Sequence, residues 1–184
     1  MRVIAGSARR LLLSAPKGDN TRPTSDKIKE TLFNIIAPML YGVDFLDLFA
    51  GTGGIGIEAL SRGAGSCTFM EKDKEALSCI RKNLEKTHLA DKATVYSTDV
   101  LTGIHMLHPS KPYGIVFMDP PYGRGLVRPV LTALKTGGLT DEDTLIIAEE
   151  AISADMSYAD DLGYEITRIK EYKNNKHVFM RLSS

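Results

Sequence analysis

The chain has no long hydrophobic run. Among its 184 residues, no apolar stretch approaches the ~20 residues of a membrane-spanning helix. Near the start, MRVIAGSARRLLLSAPKG is basic and free of acids, but its apolar stretch, LLL, is too short for the roughly 7–15 residues of a signal-peptide core. Cysteine is scarce. Cys67 and Cys79 have no metal-like spacing and read as reduced core thiols in a reducing, cytoplasmic compartment. Net charge is absent too, with 23 basic against 23 acidic residues, which argues against wholesale coating of nucleic acid. There are no internal repeats, long linkers or low-complexity segments, so one domain is expected. A chain of this size hides roughly 70% of its unfolded surface, enough for a substantial core.

The charge that is present is unevenly placed. Arg2, Arg9, Arg10, Lys17, Arg22, Lys27 and Lys29 face only Asp19, Asp26 and Glu30 within the first 30 residues. A basic arm on a mildly acidic body suits a polyanion touched along one edge.

RVIA and LLLS read as two short strands around a GSARR turn. TRPTSDKIKETLFNII then reads as a helix, capped by Thr24 or Ser25, with Ile28, Leu32, Ile35 and Ile36 at helical spacing. From Val43 the pattern alternates. The runs VDFLDLF, SCTFME, ATVYST, YGIVFMD and TLIIAEEA predict strands. GIGIEALSR, KEALSCIRKNLEK, VLTGIHML and VRPVLTAL predict helices between them. Apolar strands separated by helices imply a parallel sheet covered on both faces. The tail, YEITRIKEY and KHVFMRL, adds two strands joined at Asn174-Asn175, where asparagine tolerates positive φ. The expected fold is α/β and doubly wound. Its sheet is seven-stranded and mostly parallel, with a closing antiparallel hairpin and a small N-terminal hairpin arm. Residues 1–23 form the arm and 24–184 the main domain.

DLFAGTGGIGIEAL lies at a strand-to-helix turn. Gly51, Gly53 and Gly56 fit G-x-G-x-x-G, and Glu71 follows 20 residues after Gly51, placed for ribose hydroxyls. NAD would put its pyrophosphate on the helix N-terminus. Asp47, just before the glycines, would repel that group but suit the ammonium of a methionyl moiety. Asp99, in STDV, either accepts from an adenine amine or simply caps the next helix. Acids at three successive strand ends, without a basic phosphate clamp, favour S-adenosylmethionine over NAD.

The fourth strand ends in MDPPYGRG. An exocyclic amine on a nucleobase is a poor nucleophile because its lone pair is conjugated into the ring. Acceptors that hold its N–H groups out of plane favour attack, and Asp119 and the Pro120 carbonyl are candidates. Consecutive prolines, Pro120 and Pro121, fix φ near −65° and remove N–H donors. Tyr122 offers a face for stacking, worth about 1–3 kcal/mol. Asp119 acts first in positioning and charge stabilisation, and only second as a proton acceptor.

DLFAGTGGIGIEAL followed by DPPY resembles the Rossmann-like class I S-adenosylmethionine-dependent methyltransferases that modify exocyclic amines. With RVIAG and RPTSDKIKETLFNI ahead of them, EKD between and a hairpin at the end, essentially the whole chain resembles the bacterial 16S ribosomal RNA guanine-N2 methyltransferase family. That resemblance implies cofactor contacts at Asp47, Phe49, Ala50, Gly51, Thr52, Gly53, Glu71, Lys72, Asp99 and Val100. It implies catalytic roles for Asp119, Pro120, Pro121 and Tyr122, and RNA contacts at Arg9, Arg10, Lys17, Arg22 and Thr24. It also implies a monomer that needs no metal and acts on 16S RNA, the small subunit or an assembly intermediate. One departure is visible: EYKNNKHVFM stands where a glycine-containing turn is expected. Three rivals stay open at this level. They are a DNA adenine-N6 or cytosine-N4 methyltransferase, an NAD-linked oxidoreductase, and a non-catalytic RNA-binding assembly factor.

Overall fold

Leu, Ile, Val and Phe fill the central strands because each must serve two covered faces. In the computed structural model, which describes residues 1–16 and 25–183, seven strands pair into one sheet. They are β1 (Asp44–Leu48), β2 (Ser66–Glu71), β3 (Ala93–Ser97), β4 (Ile115–Met118), β5 (Leu145–Ala151), β6 (Tyr164–Glu171) and β7 (Asn175–Leu182). Their spatial order is β3-β2-β1-β4-β5-β7-β6. β1 to β5 are mutually parallel, and β7 runs antiparallel to both β5 and β6.

Side chains alternate across this sheet, as the two-residue period of a strand demands. Phe45, Phe69, Ile115 and Phe117 enter one core. α1 (Asp26–Leu40), α2 (Gly54–Ser61) and α3 (Lys74–Thr87) cover it. Leu46, Met70, Val116 and Met118 enter the other. α4 (Val100–Met106), α5 (Val127–Thr136) and the one-turn α6 (Tyr158–Asp161) lie on that side. Each fully buried side chain of this size contributes about 1.5–3 kcal/mol. No helix among the described residues is long and apolar enough to cross a membrane. Cys67 and Cys79 are both buried and unbridged.

Local chemistry sets the helix starts. Ser25 Oγ accepts from Ile28 N–H (3.2 Å) at α1, and Asp73 Oδ1 accepts from Ala76 N–H (2.8 Å) at α3. These caps satisfy backbone donors that the helix itself leaves unpaired. The buried stripe of α1 differs from the expected one. Lys29, Leu32, Phe33, Ile36 and Leu40 face inward, while Ile28 and Ile35 are only half-buried. Lys29 is tolerated there because Glu58 Oε2 stands 3.1 Å from its Nζ, which also donates to the Arg2 carbonyl. Burial lowers the Lys29 pKa, against the opposing pull of Glu58.

The expected pair of N-terminal strands reduces to one antiparallel bridge, Arg2 with Leu12. Val3 N–H donates to the Leu11 carbonyl (2.9 Å) and Leu13 N–H to the Met1 carbonyl (3.0 Å) on either side of it, and beyond Val3 the donors turn to α2. Ile4 and Ala5 N–H go to the Glu58 carboxylate (2.9 and 3.0 Å), while Ser7 and Ala8 N–H go to Ser61 (2.8 and 3.0 Å). The segment is therefore stitched onto α2. Val3, Ala8 and Leu13 join the core beneath it.

The closing hairpin is present, but its turn is corrected. Glu171 pairs with Lys176, and Tyr172 N–H donates to the Asn175 carbonyl, so the loop is Lys173-Asn174. Neither Asn174 nor Asn175 has positive φ. Asn175 belongs to β7, where its side chain has another task.

Candidate active site

Strand order reverses between β1 and β4, and in open α/β sheets ligands bind outside the carboxyl ends of the strands at that point. Leu48 pairs with Met70 on one side and Met118 on the other, and Met118 pairs with Ala148. One residue further along each strand stand Glu71, Phe49, Asp119 and Glu149, in that order across the edge. Neighbouring strands lie about 4.8 Å apart, so Glu71 and Asp119 bracket a span of about 10 Å, suited to a nucleoside.

The glycine loop fills the centre of this edge. Phe49, Gly51 and Gly53 all have positive φ (59°, 56° and 79°). Gly51 N–H donates to Glu71 Oε2 (2.8 Å), while Glu71 Oε1 accepts from Lys72 and Asp73 N–H (2.8 and 2.9 Å). Glu71 thus ties the loop to the end of β2. Ala50 N–H reaches the Met70 carbonyl, and Asn83 Nδ2 donates to the Thr52 carbonyl (3.0 Å). A Cβ built on Gly51 meets no atom within 4 Å. Gly56 is a glycine for a different reason: its Cβ would fall 2.3 Å from the Phe69 ring and 2.7 Å from Cys67 Sγ.

Asp47 stands at the carboxyl end of β1, as expected, but its side chain is buried. It is 1% exposed, and its Oδ2 accepts from Gly56 N–H (2.9 Å). The residue is the last but one of β1, and its side chain turns inward to hold the first turn of α2. Burial pushes its pKa up to about 8, with the nearby Glu71 charge adding to the rise and the Gly56 N–H opposing it. Asp99 caps α4 through Thr102 N–H (3.0 Å), which holds its carboxyl below the usual range. Its capping role, one of the two open readings, is therefore present. Val100 behind it is buried and Lys72 is exposed.

Asp119 leaves β4 half-buried, Pro120 is buried, and Pro121 and Tyr122 are exposed. Burial holds the Asp119 carboxyl well above the ordinary range, and the charges of Glu149, Asp47 and Glu150 raise it further. Tyr122 O–H donates to Glu149 Oε1 (2.9 Å). Arg9 and Arg10 are exposed on the N-terminal turn, with Arg10 at φ 72°. Lys17, Arg22 and Thr24 lie outside the described residues.

The residues suit S-adenosylmethionine. Space lies open before Gly51, and the surroundings gather carboxylates, a setting for a sulfonium and an ammonium rather than for pyrophosphate. No group of three or more His, Cys, Asp or Glu side chains among the described residues could hold a metal ion.

Comparison with known proteins decides the family. Residues 1–181 match the family described as Conserved hypothetical protein 95. Ribosomal RNA small subunit methyltransferase D of Escherichia coli strain K12 is 36% identical over 152 residues, 83% of this chain and 75% of its own length. This chain belongs to that methyltransferase family. YlbH of Bacillus subtilis strain 168 is 41% identical over 150 residues, 81% of this chain and 82% of YlbH. The solved structure of yhhF from Escherichia coli matches with a TM-score of 0.85 at 32% identity, covering 100% of this chain and 98% of that one. The sheet is accordingly that of an S-adenosylmethionine-dependent class I methyltransferase.

In this methyltransferase, sequence reasoning missed Glu149 and its partners. Asn175 Nδ2 donates to Glu149 Oε1 (2.7 Å), and His177 Nε2 lies 3.0 Å from Oε2. A signal was available: two consecutive acids interrupt the buried run of TLIIAEEA.

Proposed function

We propose that this methyltransferase transfers a methyl group to the exocyclic N2 of one guanine in 16S ribosomal RNA, a base presented by the naked RNA or by a particle containing it. The observation that carries the reading is the register Leu48–Met118, which sets DPPY directly beside the glycine loop. The relatives named as small-subunit RNA methyltransferases support the substrate.

Bound S-adenosylmethionine supplies an electrophilic methyl carbon. Glu71 takes the ribose hydroxyls, and the backbone of Phe49 to Gly53 borders the methionyl portion, with Asp47 stabilising that loop from below. Asp99, Val100 and Lys72 border the adenine side. On the substrate side, Asp119 and the Pro120 carbonyl accept from the two N–H groups of the guanine amine and favour its pyramidal form. Pro121 stiffens the elbow, and Tyr122 stacks on the base. Holding reactants in line supplies up to about 7–11 kcal/mol of the barrier. The raised pKa of Asp119 also suits it to take the proton that the methylated amine sheds. A target stacked in a helix would have to flip out, at a cost of a few kcal/mol. Arg9 and Arg10, with Lys17, Arg22 and Thr24, contact the RNA backbone.

The test is methylation of 16S RNA and of small-subunit particles lacking the modification, with labelled cofactor and mass spectrometry of the nucleosides. N2-methylguanosine at one position is expected. Label in adenine N6 or cytosine N4 of DNA, with none in the RNA, would overturn the reading.

A further inference from the structure

The DPPY loop has one weak point as a stacking platform. Gly123 and Gly125 follow Tyr122 at positive φ, in open space, and the tyrosine itself is 45% exposed. Packing alone does not hold such a ring at a fixed angle. Its hydroxyl is the anchored point, and the anchor is Glu149.

Glu149 is 5% exposed. Burying a carboxylate is costly unless hydrogen bonds replace its water. Here they do: Tyr122 and Asn175 donate to Oε1, and His177 Nε2 meets Oε2. Burial alone would raise the Glu149 pKa, but His177, then Tyr122 and Asn175, outweigh it and hold the group below its ordinary range. His177 is directly opposite Glu149 in the β5–β7 register. Its ring is fully buried, with the Phe117, Tyr172 and Phe179 rings at centroid distances of 6.0, 5.1 and 6.5 Å. Tyr172 Oη lies 3.3 Å from its Nδ1. The carboxylate is therefore fixed from the closing hairpin, by residues far in sequence from DPPY.

We propose that Glu149 is a positioning residue for methyl transfer: its carboxylate, fixed by Asn175 and His177, holds the Tyr122 hydroxyl and so sets the angle of the ring on which the target base stacks. The inference rests on the stacking role assigned to Tyr122 above. Glu149 need not touch the substrate. The departure at EYKNNKHVFM then has a purpose, since Tyr172, Asn175 and His177 all come from it.

The experiment is a double-mutant cycle on the full chain, reading kcat, KM for RNA, S-adenosylhomocysteine affinity and the thermal midpoint. Tyr122→Phe removes only the hydroxyl. Loosening the ring should lower kcat about tenfold or more, because small misplacements of a reacting group are costly, while RNA KM and cofactor affinity stay within about twofold. Glu149→Met should do the same. Glu149→Gln, which keeps an oxygen for the tyrosine, should recover part of the loss. The double variant Tyr122→Phe, Glu149→Met should be no slower than the slower single one. Additive losses, or parental kcat in Tyr122→Phe, would overturn the proposal. If Glu149→Met does not fold, Tyr122→Phe paired with Asn175→Ala carries the same cycle. Tyr122→Ala separates the two readings. Parental turnover there removes the stacking role itself, whereas lost turnover there with full activity in Tyr122→Phe removes the positioning role alone.

Discussion

Two carboxyl groups at this site do different work because their surroundings differ. Asp119 is held well above the ordinary range by burial and by neighbouring charges. To take a proton, and to stabilise the charge developing on the amine, Asp119 must be ionised, so activity is lost as pH falls through that raised pKa. The acid limb of kcat/KM should therefore lie clearly above the ~3.9 of an ordinary aspartate. A limb near the ordinary value would contradict the role, and Asp119→Ala, which removes both the hydrogen-bond acceptor and the proton acceptor, should lower kcat by about 10²–10⁴ while leaving cofactor affinity largely intact. Asp47 serves the fold instead. Its folded pKa, about 8, lies above its unfolded value. Its contribution to stability is full below the unfolded pKa and is lost as pH rises through the folded one. Asp47→Asn keeps an acceptor for Gly56 N–H and removes the charge. The thermal midpoint of that variant, relative to the parent, should rise from pH ~3.9, the pKa of an unfolded aspartate, until the folded pKa of about 8 and level off above it. A pH-independent difference would show that burial does not act on Asp47 in this way.

At the scale of elements, the turn from β1 into α2 uses its glycines for two separate ends. Gly56 lets α2 approach β2, and an added methyl would strike Phe69 and Cys67. Overpacking of this kind costs about 1–3 kcal/mol, so Gly56→Ala should lower stability in urea unfolding. Gly51 faces open space at φ 56°. Gly51→Ala places a methyl group on the surface assigned to the cofactor, in a left-handed conformation that costs an L-residue about 1–2 kcal/mol. Calorimetry with S-adenosylhomocysteine should show weakened binding for Gly51→Ala, and a loss out of proportion to its change in stability. Equal cofactor affinity in Gly51→Ala and the parent would place the ligand elsewhere. Both glycines were legible in G-x-G-x-x-G, but the pattern by itself does not say which one the helix needs and which one the ligand needs.

At the scale of the whole molecule, the N-terminal segment is built into the cofactor domain. Glu58 takes Ile4 and Ala5 N–H, Asn83 binds both the N–H and the carbonyl of Ser14, and Lys86 Nζ reaches the Leu12 carbonyl (2.6 Å). Asn83 also holds Thr52 of the glycine loop, so one buried amide connects the arm to that loop. Arg9 and Arg10 are carried outward on this anchored turn. If they neutralise RNA phosphates, each contact contributes about 0.7–0.9 to the slope of log affinity against log salt. Arg9→Ala and Arg10→Ala should each flatten that slope by roughly this amount and raise KM for RNA, with kcat nearly unchanged. An unaltered slope would move the RNA contacts off the arm.

What the sequence determined by itself was whatever local pattern and short-range chemistry encode. The alternation of apolar runs with amphipathic segments specified a doubly wound sheet, because periods of 2 and 3.6 bury different faces. DLFAGTG and DPPY marked the ends of β1 and β4, which the sheet register sets side by side. The tertiary structure decided what depends on partners distant in the chain. RVIA and LLLS pair only around the Arg2–Leu12 bridge, because Glu58 captures the Ile4 and Ala5 donors. Lys29 is a core residue only because α2 brings Glu58 beside it. Glu149 becomes part of the site only when β7 inserts beside β5 and delivers His177 and Asn175 to it. A buried charge has no periodicity of its own; it is stable only where folding supplies its partner.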